Sequence, residues 1–104
     1  MNIKFNYLYR DGANYKNYNE VVFDNAKNLS IQSIETVIKE NLIEGQWFIA
    51  SDWNLPDMHF KDYPWDSEID HDWHGFDSLE QTTGSTTDNI SIEAFLKRIQ
   101  RKQL

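Results

Sequence analysis

Apolar residues recur at the spacing of an α-helix between Ser30 and Gly45, and this stripe constrains the fold more than any other feature. Its members are Ile31, Ile34, Ile38 and Leu42, with Val37 beside them. The Ser30 hydroxyl can accept a free amide of the first turn, and Gly45 suits the position that follows a helix C-terminus. The pattern predicts an amphipathic helix that packs one face on a sheet.

The segments before this helix have the pattern of strands. Ile3, Phe5, Tyr7 and Tyr9 alternate with Asn2, Lys4, Asn6 and Leu8, which is the period of a half-buried strand. Asp11-Gly12 marks a turn, and a second strand is predicted to resume at Glu20 and run to Phe23. Arg10 to Tyr18 is therefore expected to project as a long hairpin loop.

Three further strands and a second helix are predicted after Gly45. Gln46 to Ala50 is short, aromatic and branched, which favours a buried central strand. Met58 to Tyr63 and Trp73 to Gln81 are predicted as two more strands, with an acidic loop over Asp66 to Asp72. Ser91 caps a last helix whose apolar face carries Ile92, Phe95, Leu96 and Ile99.

The resulting order is β-β-α-β-β-β-α. Strands in consecutive runs favour an α+β fold, with a mainly antiparallel sheet of four to five strands and two helices on one face. The length of 104 residues is typical of one domain, so residues 1–104 are predicted to form a single domain.

Charge and cysteine content exclude several classes of function. The formal net charge is −7, and between Asp52 and Glu80 only Lys61 opposes many carboxylates, a surface that repels nucleic acids and anionic membranes. The absence of cysteine excludes disulfides and thiolate metal sites. The N-terminus has no uninterrupted apolar segment, and a cytoplasmic location is the expectation.

Carboxylates and imidazoles between Asp66 and Asp77 are the densest group that could carry chemistry. The candidate ligands for a divalent metal are Asp70, His71, Asp72, His74 and Asp77. On a regular strand His71 and His74 would face opposite sides, so they converge only if the backbone turns between them. The alternative is a solvated acidic loop, and no cofactor other than such a metal is expected.

Aromatic residues among polar neighbours form the second group of candidates. The candidate binding residues are Arg10, Tyr15, Trp53, Trp65 and Trp73. A tryptophan in this context is either a core anchor reached from a loop or an exposed recognition residue. In the alternative, the tyrosines of the predicted loop from Arg10 to Tyr18 cover the end of the sheet.

Catalytic motifs are missing from the sequence. No glycine pattern for binding phosphate is present, and neither a nucleophile elbow nor a cysteine nucleophile occurs. His59, His71 and His74 remain possible bases, but the catalytic residues, if any, are unknown.

Three segments resemble a group of small bacterial proteins of unknown function. They are the YRDGANYK run from Tyr9, the WFIA run from Trp47 that leads to Leu55-Pro56, and DHDWHGFDSLE from Asp70. The resemblance covers most of the chain to about Glu80. It implies a bacterial cytosolic source and one compact domain, and it brings no activity, cofactor or catalytic residue.

These observations favour a non-enzymatic binding or regulatory module that engages a protein partner with a basic surface through an acidic aromatic face. A small metal-binding protein or metal-dependent hydrolase that uses His71 and His74 is the first alternative. An immunity-like or antitoxin-like partner protein is the second. The oligomeric state stays open.

Overall fold

A computed structural model of the chain describes residues 1–10, 16–56, 58 and 73–101. The elements in chain order are β1 (Asn2–Arg10), β2 (Lys16–Phe23), α1 (Ile31–Glu40), β3 (Trp47–Ile49), β4 (Trp73–Thr82) and α2 (Ile92–Arg101). The four strands form one antiparallel sheet in the order β2-β1-β4-β3. The predicted α+β class is confirmed. The additional strand predicted over Met58 to Tyr63 lies outside the described residues, except for Met58, which is not in a strand.

Strand β1 lies inside the sheet, and its alternating residues define two faces. The inner face consists of Ile3, Phe5, Tyr7 and Tyr9, each at most 1% exposed. Lys4, Asn6, Leu8 and Arg10 lie on the opposite, outer face. The period of two in the sequence thus separates the core from the outer surface.

Both helices pack on the inner face, as predicted. Ile34 and Ile38 of α1 and Phe95 of α2 are fully buried in the same core as the inner residues of β1. The Phe95 ring stacks on Phe23 of β2, with 4.5 Å between ring centroids. No helix in the described part of the chain is long and apolar enough to span a membrane.

Helix α1 begins as predicted and ends earlier than predicted. The Ser30 hydroxyl accepts the Ser33 amide at 3.1 Å. The helix ends at Glu40, because the next residue, Asn41, donates its side-chain amide to the Val37 carbonyl at 2.8 Å and caps the last turn. Gly45 therefore does not follow the helix end; it has a φ of 73° in the turn before β3.

The Ser30 cap gives a first testable prediction. We expect Ser30→Ala to lower the free energy of unfolding by about 1 kcal/mol, because the Ser33 amide loses its acceptor. The change is measured from the midpoint of urea unfolding. Ser30→Asp keeps an acceptor at the same place and is the matched control, so an equal loss in both variants would contradict a capping role.

Two strand predictions need correction. Strand β2 begins at Lys16 instead of Glu20, because hydrogen bonds hold its polar side chains. The Asn17 side-chain amide donates to the Met58 carbonyl at 2.9 Å, and the Asn19 side-chain amide donates to the Tyr7 hydroxyl at 3.0 Å. Strand β3 is an edge strand of the sheet, not a central one, and only its middle residue, Phe48, is buried.

Candidate functional site

Two tryptophans lie on the outer face of the sheet, opposite the buried core. Trp47 of β3 and Trp73 of β4 are half-buried, and their rings stack with centroids 6.5 Å apart and planes 29° from parallel. The pairing of β3 with β4 sets this arrangement, because Ile49 lies opposite Trp73 and Trp47 lies opposite Gly75. Large rings that stay partly exposed side by side are typical of recognition surfaces.

Gly75 allows the Trp47 ring to lie against the sheet. A Cβ atom on Gly75 would lie 3.3 Å from Cζ3 of Trp47 and 3.6 Å from Cδ2 of Leu8. A side chain at this position would therefore push against the ring, and glycine within a strand commonly marks such a close approach. Leu8, Gly75 and Trp47 together form an apolar floor.

A cleft of about 350 Å³ opens beside this floor. Its rim carries both signs of charge, from Arg10, Glu35, Lys39 and Asp77. Lys39 and Glu35 form an ion pair at 2.9 Å.

Arg10 and Asp77 differ from that pair, because neither forms an ion pair within the described part of the chain. The Nε atom of Arg10 is buried and finds no hydrogen-bond acceptor among the described residues. Asp77 is exposed and accepts a hydrogen bond from the neighbouring Ser78 hydroxyl at 3.3 Å. Asp77 thus offers an exposed acceptor at the rim of an apolar cleft, whereas the Nε atom of Arg10 is covered.

A β-bulge places Asp77 at this rim. Asn6 pairs with Ser78 and Tyr7 pairs with Phe76, so Asp77 is the extra residue of β4. A bulge re-aims the side chain that it carries and is common beside functional sites.

The five predicted binding residues have different positions. Arg10 and Trp73 lie on the outer face, on adjacent strands of the sheet. Trp53 is 2% exposed and belongs to the core, so it offers no surface to a partner. Tyr15 and Trp65 lie outside the described residues.

The predicted metal ligands are not brought together in the described part of the chain. His74 is fully buried on the inner face, between the rings of Tyr9 and Phe48, whose centroids lie 5.2 and 5.9 Å away. Its Nε2 accepts the Met58 amide at 3.0 Å. Asp77, by contrast, is exposed at the cleft. Asp70, His71 and Asp72 lie outside the described residues, and those described contain no cluster of three or more metal-binding side chains.

The apolar floor of the cleft was missed by the sequence reasoning. Leu8 falls among the polar residues of the alternating pattern, and the pattern from Gln46 to Ala50 predicts a buried strand for Trp47. Two signals were present in the sequence: a leucine on the polar side of a strand, and a glycine inside a strand at position 75.

Comparisons with protein-family models, curated proteins and solved structures gave no match for this chain. The case for a function therefore depends on the geometry of the outer face.

Proposed function

We propose that this protein is a non-enzymatic binding module that holds a protein partner with a basic surface on the outer face of its sheet. The observation that carries the proposal is the half-buried Trp47–Trp73 stack on the outer face, beside a cleft whose rim includes Glu35 and Lys39 of α1. Tryptophan and arginine are the residues that most often dominate binding energy at the centre of protein interfaces.

The floor of the cleft suits an apolar side chain of the partner. Leu8, Trp47 and Gly75 present carbon surface there. The volume of about 350 Å³ lies at the low end of small-molecule pockets, which span about 300–1,000 Å³, and has room for an inserted side chain. Burial of such a side chain against the rings would supply the apolar part of the binding energy.

The net charge of the molecule supports a basic partner, although the cleft rim itself carries equal numbers of cations and anions. The chain carries −7 overall, and Asp77 at the cleft rim is exposed and can pair with a lysine or arginine of the partner. Arg10 is half-buried at the same rim, and the terminal N–H groups of its guanidinium can donate to a backbone carbonyl of the bound segment. Complementary charge of this kind raises the association rate and makes binding sensitive to salt.

The test combines capture with charge-neutralising variants. We expect immobilised protein to retain a basic partner at low salt and to release it as salt rises, and Asp77→Asn to weaken the affinity for that purified partner about tenfold, as loss of a charged contact worth about 1.4 kcal/mol would. Calorimetry measures the affinity. Glu40→Gln removes one charge from an exposed position on α1 that does not line the cleft and is the matched control.

Trp73→Ala tests the aromatic part of the same site. Its capture of the partner should be largely lost while the circular dichroism spectrum of the fold is kept. Equal binding by the wild-type protein, Asp77→Asn and Trp73→Ala would refute binding at the outer face, and salt-independent capture would refute a basic partner.

A further inference from the structure

The far edge of the sheet, along β2, has backbone groups that point away from β1. The Val22 amide donates to the Thr87 hydroxyl at 2.9 Å, and the Val22 carbonyl accepts the Thr87 amide at 3.0 Å, so Val22 faces this edge. In an antiparallel ladder every second residue faces the same way. Lys16, Tyr18 and Glu20 therefore direct their amides and carbonyls to the same edge.

Only part of this edge is closed by the chain itself. Thr87 and Asp88 cover it at Val22, and no described residue forms a backbone hydrogen bond with Tyr18 or Glu20 on that side. Tyr18 is also 59% exposed, although it is a large aromatic residue. An open strand edge with an exposed ring can pair with another strand.

We propose that a second copy of this chain pairs with the β2 edge in antiparallel orientation, with the two-fold axis at Tyr18. In this register Tyr18 lies opposite Tyr18 of the second copy, and Lys16 lies opposite Glu20 of the second copy. The same pair recurs by symmetry on the other side of the axis. Opposite charges and facing aromatic rings are both favourable cross-strand pairs.

The charges select this register over its neighbours. An axis at Asn17 places Lys16 opposite Tyr18, and an axis at Asn19 places Glu20 opposite Tyr18, so both lose the paired charges. The axis at Asn19 would also require Val22, whose backbone already binds Thr87. Only the axis at Tyr18 uses the open segment from Lys16 to Glu20 and matches a cation to an anion at both ends.

The dimer is weak and depends on concentration. Three facing pairs exchange about six backbone hydrogen bonds, but a pairing of five residues buries less surface than the roughly 1,200–2,000 Å² of stable complexes. The net charge of −7 on each copy adds long-range repulsion. The pairing uses the β2 edge, whereas the cleft lies over β1, β4 and β3, and Asp77 of the cleft rim also lines a smaller pocket with Tyr18 and Glu20.

A charge-swap experiment tests the pairing. Lys16→Glu alone places carboxylates opposite carboxylates, and Glu20→Lys alone places ammonium groups opposite each other, so each variant should associate at least tenfold more weakly than the wild type. An equimolar mixture of the two restores an opposite charge at both facing positions, at the same total charge as the wild-type dimer. Sedimentation equilibrium of full-length protein over a concentration series should therefore recover the dimer in the mixture.

Glu80→Lys is the control for the charge change. Like Glu20, Glu80 lies within 4 Å of the Lys4 ammonium, at 3.8 Å against 3.5 Å, but it lies on β4 away from the edge. It should leave dimerisation within about twofold of wild type. A loss as large as that of Glu20→Lys would refute pairing at the β2 edge.

Amide hydrogen exchange at Tyr18 and Glu20 provides a second readout. Protection that rises with protein concentration supports the dimer. Strong protection at every concentration would mean that residues of the same chain form hydrogen bonds with these amides, and it would overturn the proposal. A wild-type protein that stays monomeric throughout the series, or a swapped mixture that does so, would overturn it as well.

Discussion

Replacement of Trp53 by alanine is expected to lower the free energy of unfolding by about 3–5 kcal/mol, the usual cost of removing a large buried ring. The Trp53 ring lies 4.5 Å from the Phe48 ring, almost parallel at 12°, and meets the Phe95 ring edge-on at 5.8 Å. It thus joins β3 to α2 across the core. Domains are commonly stable by only about 5–15 kcal/mol, so urea unfolding followed by circular dichroism should show a large shift.

Trp73→Ala is the matched control, because it removes the same atoms from a half-buried position on the outer face. The loss of stability scales with the area withdrawn from water, so it should be smaller than that for Trp53→Ala, because part of the Trp73 ring is exposed. Similar losses in the two variants would contradict the assignment of Trp53 to the core and Trp73 to the surface.

The burial of Trp53 could not be predicted from its neighbours in the sequence. Its neighbours, Asp52 and Asn54, are polar and exposed, which made a surface role as reasonable as a buried one. A tight turn after β3 decides the matter: the Leu55 amide donates to the Ala50 carbonyl at 2.9 Å, and Asn54 has a positive φ of 55°. The turn directs the indole into the core. A periodic pattern of hydrophobic residues does not reveal a turn of this kind.

Strong periodicity explains the parts of the fold that were predicted correctly. The isoleucines of α1 and the alternating residues of β1 each bury one face, so the sequence pattern and the structure agree there. The beginning of β2 carries Asn17 and Asn19 on its inner side instead. These two side chains are held by hydrogen bonds of their amides and not by burial of apolar surface. The hydropathy pattern therefore does not predict a strand there.

The candidate site was only partly predictable, because it depends on contacts between distant segments. Arg10, Trp73 and Asp77 were singled out individually, but Asp77 was assigned to a metal site and not to a cleft. The bulge at Asp77 and the pairing of Trp47 with Gly75 bring them to one face. Strand order and bulges arise from long-range pairing, which composition and local spacing do not encode.

His74→Ala is expected to lower the free energy of unfolding by about 3 kcal/mol. The imidazole is fully buried, and its Nε2 accepts the Met58 amide at 3.0 Å. A backbone amide is always a donor, so Nε2 carries the lone pair and the proton of the neutral ring lies on Nδ1. Alanine leaves both a cavity and a donor without its acceptor.

His74→Phe separates the cavity from the lost hydrogen bond, because the slightly larger phenyl ring leaves no void but has no nitrogen to accept the Met58 amide. It should cost about 1–3 kcal/mol, the usual penalty for a buried amide left unsatisfied. If His74→Phe is as stable as the wild type, the hydrogen bond to Met58 has no structural role.

The same variant also distinguishes a structural histidine from a metal ligand. A metal that binds the folded state raises its melting temperature, yet the Nε2 lone pair of His74 already holds the Met58 amide. Zinc or manganese is therefore not expected to bind through His74, so it should change the melting temperature of tag-free wild-type protein and of His74→Phe equally. A metal-dependent rise in the melting temperature of the wild type that disappears in His74→Phe would contradict this expectation. It would mean that Nε2 of His74 releases the Met58 amide and binds the metal instead, and it would make the metal site the leading alternative.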